Sequence, residues 1–578
     1  MAFYTSNDSV NAIVADIGSY ATKIGFAGED HPRSYFRSHV AVLREEEKQD
    51  KFTNGSSSAD NTKRRRRRIQ TVNYDNLNYP KEGNNDGEWE GINPIDSTTG
   101  LCYDPNTDYQ YNNNTDWSDL IPTFLKHGYS SALGLKATSG VPLLMMERSY
   151  NPPPIRQQML EILMEECDVP ATYFGRDATM ACYACGRTTS TVIDIGYSGT
   201  TVSPVHDGFV EQKGVRRSPI GTMAMDEMAV AQLQALIKEE AKRQHKATST
   251  AVLKPLYQVK QPKAQRKEVF RRLALLQIGK ECRESGAGQA INTAASKSLL
   301  VPSMAFTLPD GQVVDVPSST RFAVANLAVG RGPTSEDDEQ SQQQQQREEL
   351  YNKTKTDLED IIKAAMQPDD EMDKKEKDND DGDEEEDQSS RYNEATAVGI
   401  SSSLRGTKRG RKVGRSKGKD KASTSSTGAT EEDNHSNQPK VRFDNRILQR
   451  ACVPYMETML EQLTASPVAN MVCDAAFRCD REQQAGVLGN VVLAGGGACI
   501  GPTDQSVPDS LREQIEAIIH THTPGWRVKV LSPGMQERAI ASWLGGSILG
   551  SLGTFHEMWI TKAEYEEWGT AIVNRKCP

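Results

Sequence analysis

The chain has 578 residues, 36% of them hydrophobic and 25% charged, with a net charge of −11 and a mean hydropathy of −0.62. That length supports two or more domains with sizeable cores, while the low apolar fraction indicates a globular body diluted by polar segments. No apolar run reaches the ~18–20 residues a membrane helix requires, and the N-terminus carries no basic region followed by an apolar stretch, so neither a membrane span nor a secretory leader is expected.

The first ordered signal is "IVADIGSYATKIGFAGED", residues 13–30. An apolar run reaches Asp16, a Gly18–Ser19 turn follows, and a second apolar run resumes, which reads as a strand, a small turn and a strand. Residues 44–72, with "KRRRRR" at 63–68, and residues 84–116, rich in Asn, Asp and Gly, read as insertions. Such composition cannot bury enough apolar surface to offset the entropy of ordering it. "PPPIRQQMLEILMEEC" has helical periodicity. In "ACYACGR" the pair Cys182 and Cys185 lacks the second close pair a zinc site needs, so both are expected to be reduced thiols packed in a helix.

From Thr191, "TVIDIGYSGTTVSPVHDGFV" repeats the opening pattern: an apolar strand, Asp-Ile-Gly, a small polar turn, another strand and a later glycine. Helical spacing returns in "MDEMAVAQLQALIKEEAKR". Residues 333–440 form the largest expected insertion, read as a disordered loop. It runs from a glutamine tract through an acidic block, net −10 over 369–387, to a basic block, net +8 over 404–421. Patterned sequence resumes with "GNVVLAGGG", "VPDSLREQIEAIIHTH" and "ASWLGGSILGSLGTF". Strands alternating with helices predict an α/β protein. His520 and His522 have no carboxylate or cysteine spacing to complete a metal site.

A duplicated Asp-Gly turn suggests two similar domains facing one ligand. Backbone N–H groups of a Gly/Ser turn can cradle phosphate oxygens, since no side chain blocks their approach. An aspartate at the end of each strand can hold a hydrated Mg²⁺ between phosphates. The third turn, "LAGGGACIG" from Leu493, would border the base and sugar.

Two Asp-Gly turns and a distal Gly-rich turn resemble the superfamily of actin, Hsp70 and the sugar kinases. "IGFAGEDHPR", "YACGRTTSTVIDIG", "LPDGQVV" and above all "ASWLGGSILGSLGTFHEMWITKAEYEEWG", running to the terminal "RKCP", resemble actin and its relatives over about 1–43, 117–332 and 441–578. The charged insertions, "SPVHDGFV" and the terminal "NRKCP" resemble the nuclear class of actin-related proteins. The resemblance implies an actin-like two-domain fold around a nucleotide cleft. Domain 1 would comprise 1–184 completed by 540–578, and domain 2 would comprise 185–332 and 441–539.

Carried over by motif, the resemblance places Asp16, Gly18, Ser19 and Lys23 in the first phosphate loop, and Asp194 and Gly196 in the second. It places Gly221 near the ribose, Gly495 and Gly496 by the adenosine, and Lys280 and Glu281 at the nucleoside. The implied ligands are ATP or ADP with Mg²⁺ held through water by Asp16 and Asp194. The chain departs from the family where actins carry a glycine (Tyr20 here), an acidic residue (Tyr197), a water-orienting glutamine (Asp177), an aromatic beside the adenine (about Ile500) and a lysine (Ala539). An ionised Asp177 offers only acceptors and repels phosphate, and positioning supplies most of the rate in phosphoryl transfer. Little or no hydrolysis is therefore expected. A bound nucleotide would then act as a structural ligand, worth roughly 4 kcal/mol at ~1,000 times its dissociation constant.

The resemblance also implies a groove lined by Tyr183, Thr188, Leu549, Leu552 and Met558 that receives an amphipathic helix of a partner. That partner would be a remodelling ATPase, with conventional actin and further subunits of a chromatin remodelling or histone acetyltransferase complex alongside. "KRRRRR" and "KRGRK" read as nuclear import signals. The acidic block offers charge complementarity to histones, and the acidic body makes direct DNA binding weak or absent. The alternatives are a filament-forming actin relative, which sedimentation in polymerising salt would reveal, and a weak ATPase of the same superfamily.

Overall fold

The computed structural model describes residues 12–45, 66–71, 89–93, 95, 98–100, 117–135, 140–245, 251–260, 262, 268–287, 302–330, 337–367, 445–500 and 505–578. Its strands, in chain order, are β1 (Ile13–Ile17), β2 (Ala21–Phe26), β3 (Ser34–Arg37), β4 (Val40–Glu45), β5 (Arg66–Thr71), β6 (Trp89–Ile92), β7 (Leu143–Glu147), β8 (Ala171–Arg176), β9 (Ser190–Ile195), β10 (Thr200–His206), β11 (Phe209–Val210), β12 (Arg216–Ser218), β13 (Met304–Thr307), β14 (Val313–Val316), β15 (Asn490–Ala494), β16 (Lys529–Leu531) and β17 (Ile560–Thr561). The helices used below are α1 (Pro153–Glu161), α2 (Asp177–Ala184), α3 (Thr222–Arg243), α4 (Glu268–Cys282), α5 (Asp337–Met366), α6 (Asn445–Gln462) and α7 (Ala541–Ser551).

Two mixed sheets organise the body. The first runs β17-β8-β7-β1-β2-β3 and the second β11-β10-β9-β15-β16, with β12 on β10. The sequence repeat is the hairpin at the heart of each. β1 pairs antiparallel with β2, placing Asp16 opposite Lys23, and β9 pairs antiparallel with β10, placing Asp194 opposite Thr201. Each first strand has a parallel neighbour on its other side, β7 beside β1 and β15 beside β9. β7 is buried along its length and β15 from Val491 onward, as central parallel strands covered by helices must be. The C-terminal stretch returns to the first sheet through β17 on β8.

One core lies around β1, β7 and β8, with Trp543 fully buried and its indole donating to the Val14 carbonyl at 3.1 Å. A second lies around β9 and β15. Between the sheets, α2 and α7 approach so closely that a Cβ on Gly545 would overlap the Met180 carbonyl.

Three boundaries differ from the sequence reading. The expected disordered insertion 333–440 begins with α5, thirty residues long. Leu358 is 1% exposed and joins the first core with Ile361, while Leu350 packs on the second. The buried Arg347 donates from Nε to the Leu327 carbonyl at 3.0 Å, at the C-terminal end of the helix Ser318–Val329, where a cation suits the helix dipole. The segment folds as a helix with one inward-facing stripe, whose apolar members Leu350, Leu358, Ile361 and Ala365 are spaced for it; the acidic and basic blocks that follow it lie outside the described residues. Next, α6, expected in domain 2, puts Cys452, Met456 and Met459 into the first core. Finally, parts of the other two insertions are ordered, 44–45 and 66–71 of the first and 89–93, 95 and 98–100 of the second. β5 pairs with β4 and carries Arg66–Arg68, β6 pairs with β4 on its other edge, and the Asn93 side chain donates to the Ser19 carbonyl at 2.8 Å. The remainder of 44–72 and most of 84–116 lie outside the described residues, as does "KRGRK".

Candidate phosphate cleft between the two hairpins

The two Asp-Gly turns face one cleft enclosing about 240 Å³. Asp16, Gly18, Ser19, Lys23, Asp194, Gly196, Lys280, Gly495 and Gly496 all line it, so most of the residues singled out in the sequence converge. The local reasons are backbone ones. The Gly18 amide donates to the Ala21 carbonyl at 3.1 Å and the Gly196 amide to the Gly199 carbonyl at 2.9 Å, closing two equivalent turns. Gly495, at φ +92°, brings the third turn against the second, where a Cβ would overlap Asp194 Oδ1 and the Ile195 carbonyl.

Two expected residues lie elsewhere. Gly221 caps α3 behind the second turn, where a Cβ would meet the Gly196 and Tyr197 carbonyls; it shapes the loop without lining the cleft, and Thr222 lines it instead. Glu281 is exposed and accepts from Gln277 Nε2 at 2.9 Å. On α4 the cleft-facing side carries Lys280, and Arg283 and Glu284 lie on that side one turn further on; Glu281 is rotated about 100° away.

The departures from the family pattern are now explicit. Tyr20 and Tyr197 meet across the cleft with ring centroids 5.2 Å apart, and the Arg37 guanidinium lies 3.8 Å over the Tyr20 ring. Ile500 is buried in the second core and offers no face to an adenine. Ala539 lines the cleft without reaching into it. Asp177 is buried at the start of α2. Its Oδ1 accepts from the Ser149 amide at 2.9 Å, the Ser149 hydroxyl and the Ala178 amide at 2.7 Å. Its charge is compensated by Arg148, so the expected repulsion of phosphate is blunted; what Asp177 lacks is a donor aimed into the cleft.

Arg148 was not singled out in the sequence. It follows β7, at the carboxyl end of a central parallel strand, which is where open α/β sheets place ligand contacts; that position was the available signal. Its Nη1 lies 3.5 Å from Asp177 Oδ2 and 3.9 Å from Asp194 Oδ2. Burial works against its charge, but Asp177, Tyr150, Asp194 and Asp16 together outweigh that and hold the guanidinium firmly ionised. Burial likewise pushes up the Asp16 carboxyl, yet Lys23, 2.7 Å away, and Arg148 bring it below the usual carboxylate range. At Asp194 burial wins over Arg148, and its pKa rises to about 6.

The groove residues divide. Tyr183 and Leu549 are half-buried against the first core, whereas Thr188 is exposed. Leu552, Met558 and the neighbouring Ile548 are large apolar side chains left 48%, 38% and 41% exposed. None of the described cysteines forms a disulfide. Cys182 is bonded to the Ser190 hydroxyl at 2.8 Å, and no group of three or more metal-ligating side chains lies together among the described residues.

Two α/β sheets, each ending its central hairpin in an Asp-Gly turn at a shared polar cleft, define the class of two-lobed phosphate-cleft proteins. The actin family model matches residues 7–76, 113–375 and 426–578, and the chain belongs to that family, whose fold binds ATP or ADP with magnesium. The chain is similar to proteins named Actin-related protein 4: 26% identical to that of Arabidopsis thaliana and 24% to that of Oryza sativa subsp. indica, each over 99% of both chains. It is 23% identical to that of Candida glabrata over 97% of this chain and 96% of the relative. No described helix is long and apolar enough to cross a membrane.

Proposed function

We propose that this protein is a nucleotide-holding structural subunit of a nuclear chromatin remodelling or histone acetyltransferase complex, turning ATP over slowly or not at all. The observation that carries the nucleotide half is the cleft itself. It keeps both backbone cradles and Lys23, the parts that bind phosphate, while the position of the water-orienting amide holds a buried Asp177 engaged by Ser149 and Arg148. Phosphate affinity resides in the backbone groups and lysine; rate resides in positioning the attacking water. The chain binds ATP or ADP and is stabilised by it.

The complex-subunit half rests on the resemblance to the nuclear actin-related class and the near full-length similarity to Actin-related protein 4 of plants and fungi. The exposed Leu552, Met558 and Ile548 beside Tyr183 and Leu549 suit an amphipathic helix from a remodelling ATPase, with conventional actin alongside. The basic tracts serve nuclear import, and the acidic block 369–387 meets histones. A tagged pull-down from nuclear extract, read by mass spectrometry, tests this. Recovery of a remodelling ATPase or acetyltransferase subunit with actin is expected; a chain that comes down alone, or only with itself, would contradict it.

A further inference from the structure

A hydrated divalent ion in this fold stands between the carboxylates at the ends of the two hairpins. Mg²⁺ holds its water at ~2.1 Å, and that water reaches a carboxylate oxygen at ~2.7 Å. The ion therefore sits roughly 4 to 5 Å from each oxygen. In this chain a protein cation stands against that position, on its Asp194 side. Arg148 Nη1 is 3.5 Å from Asp177 Oδ2 and 3.9 Å from Asp194 Oδ2. Its Nη2 borders the first turn, 4.0 Å from where a Cβ on Gly18 would lie. Asp16, the other carboxylate expected to hold the ion, is paired with Lys23 at 2.7 Å. Each of the three aspartates thus already has a cation tethered to the chain. A divalent ion entering between them would have to displace a guanidinium that cannot lose its proton and has little other room, being 24% exposed.

We propose that Arg148 takes the place of the divalent cation, so that this cleft holds the phosphates of a nucleotide without a metal. The ligand half of this rests on the nucleotide-binding reading above. The guanidinium offers N–H donors on the side away from the aspartates, and a planar fork suits phosphate oxygens as well as carboxylates. The geometry of the site is then set by a side chain rather than by a coordination sphere.

Two readouts test it. Mn²⁺ binding to the nucleotide-free protein, followed by electron paramagnetic resonance, examines the cation position alone. Wild type is expected to take up no tight Mn²⁺ in the cleft, Arg148→Gln to gain about one site, and Arg148→Lys, which keeps the charge and guards against a folding artefact, to behave as wild type. Calorimetric titration with ATP examines the ligand. Wild-type affinity is expected to agree within about twofold between millimolar magnesium and EDTA, whereas Arg148→Gln loses about tenfold or more in EDTA and recovers it with magnesium. Tight Mn²⁺ binding by wild type, or a tenfold loss of its ATP affinity in EDTA, would overturn the proposal. If ATP binds in neither buffer, the nucleotide reading and the ligand half fall together, and the Mn²⁺ readout still decides whether Arg148 holds the cation's place.

Discussion

Leu358→Ala tests whether the segment after residue 336 is part of the body. Leu358 is 1% exposed on α5 and packs in the first core with Ile361, which is 6% exposed, and with α6 close by. Truncating a buried leucine removes its transfer free energy and leaves a cavity, costing about 2.7–5 kcal/mol in well-packed sites. Alanine is the better helix former by only a few tenths of a kcal/mol, which offsets little of that. A two-helix layer at the edge of a core relaxes more than its centre, so a loss of about 2–4 kcal/mol is expected. For a body of this size that is a fall of several degrees in the unfolding midpoint, since the shift per kcal/mol shrinks as the chain grows. Differential scanning calorimetry would read the midpoint, and amide exchange over 337–366 would show protection falling in the same helix. Lys353→Ala, at an exposed position of α5, is the control and should stay within about 0.5 kcal/mol. If Leu358→Ala matched that control and left exchange unchanged, the packing of α5 as described would be wrong.

Two further outcomes follow from the site and the lobe contact. The folded pKa of Asp194, about 6, lies above its ordinary value of 3.8, so the stability this shift contributes is full below about pH 4 and is lost as pH rises through about 6. Asp194→Asn removes that titration. The unfolding midpoint of the variant relative to wild type should therefore climb between pH 4 and 7 by the equivalent of up to about 3 kcal/mol; a difference that stays constant with pH would refute the assignment. Gly545→Ala pushes a Cβ into the Met180 carbonyl where α2 and α7 touch, and backbone cannot turn aside as a side chain can. It should destabilise by about 1–3 kcal/mol despite the gain in helix propensity, and a raised midpoint would show that the two helices do not approach as described.

The features legible in the sequence were those written locally. Asp16-Ile-Gly18 and Asp194-Ile-Gly196 each close a turn within a few residues, so their repetition revealed both hairpins and the cleft between them. Two things were hidden. α5 carries a regular stripe of Gln343, Arg347, Leu350, Thr354, Leu358, Ile361 and Ala365, spaced by three or four residues. Averaging the composition of 333–440 merged that stripe with the glutamine tract and the charged blocks. Arg148 was hidden for a different reason: its meaning depends on carboxylates 29 and 46 positions later that only the assembled sheets bring to it. Glu281 is carried over by motif together with Lys280, and a motif does not fix which of two neighbouring residues on α4 faces the cleft; the packing of Arg283 on Asp226, at 2.7 Å, sets that rotation.

On the proposed reading, the cleft holds a nucleotide and turns it over slowly or not at all. The most direct measurement is to load the purified protein with radiolabelled ATP, remove the excess, and follow the bound nucleotide by chromatography over hours, with Lys23→Ala alongside. The account predicts about one nucleotide per chain, recovered largely as ATP, and much less retained by the variant. Conversion of the bound ATP to ADP and phosphate within minutes of loading would contradict it.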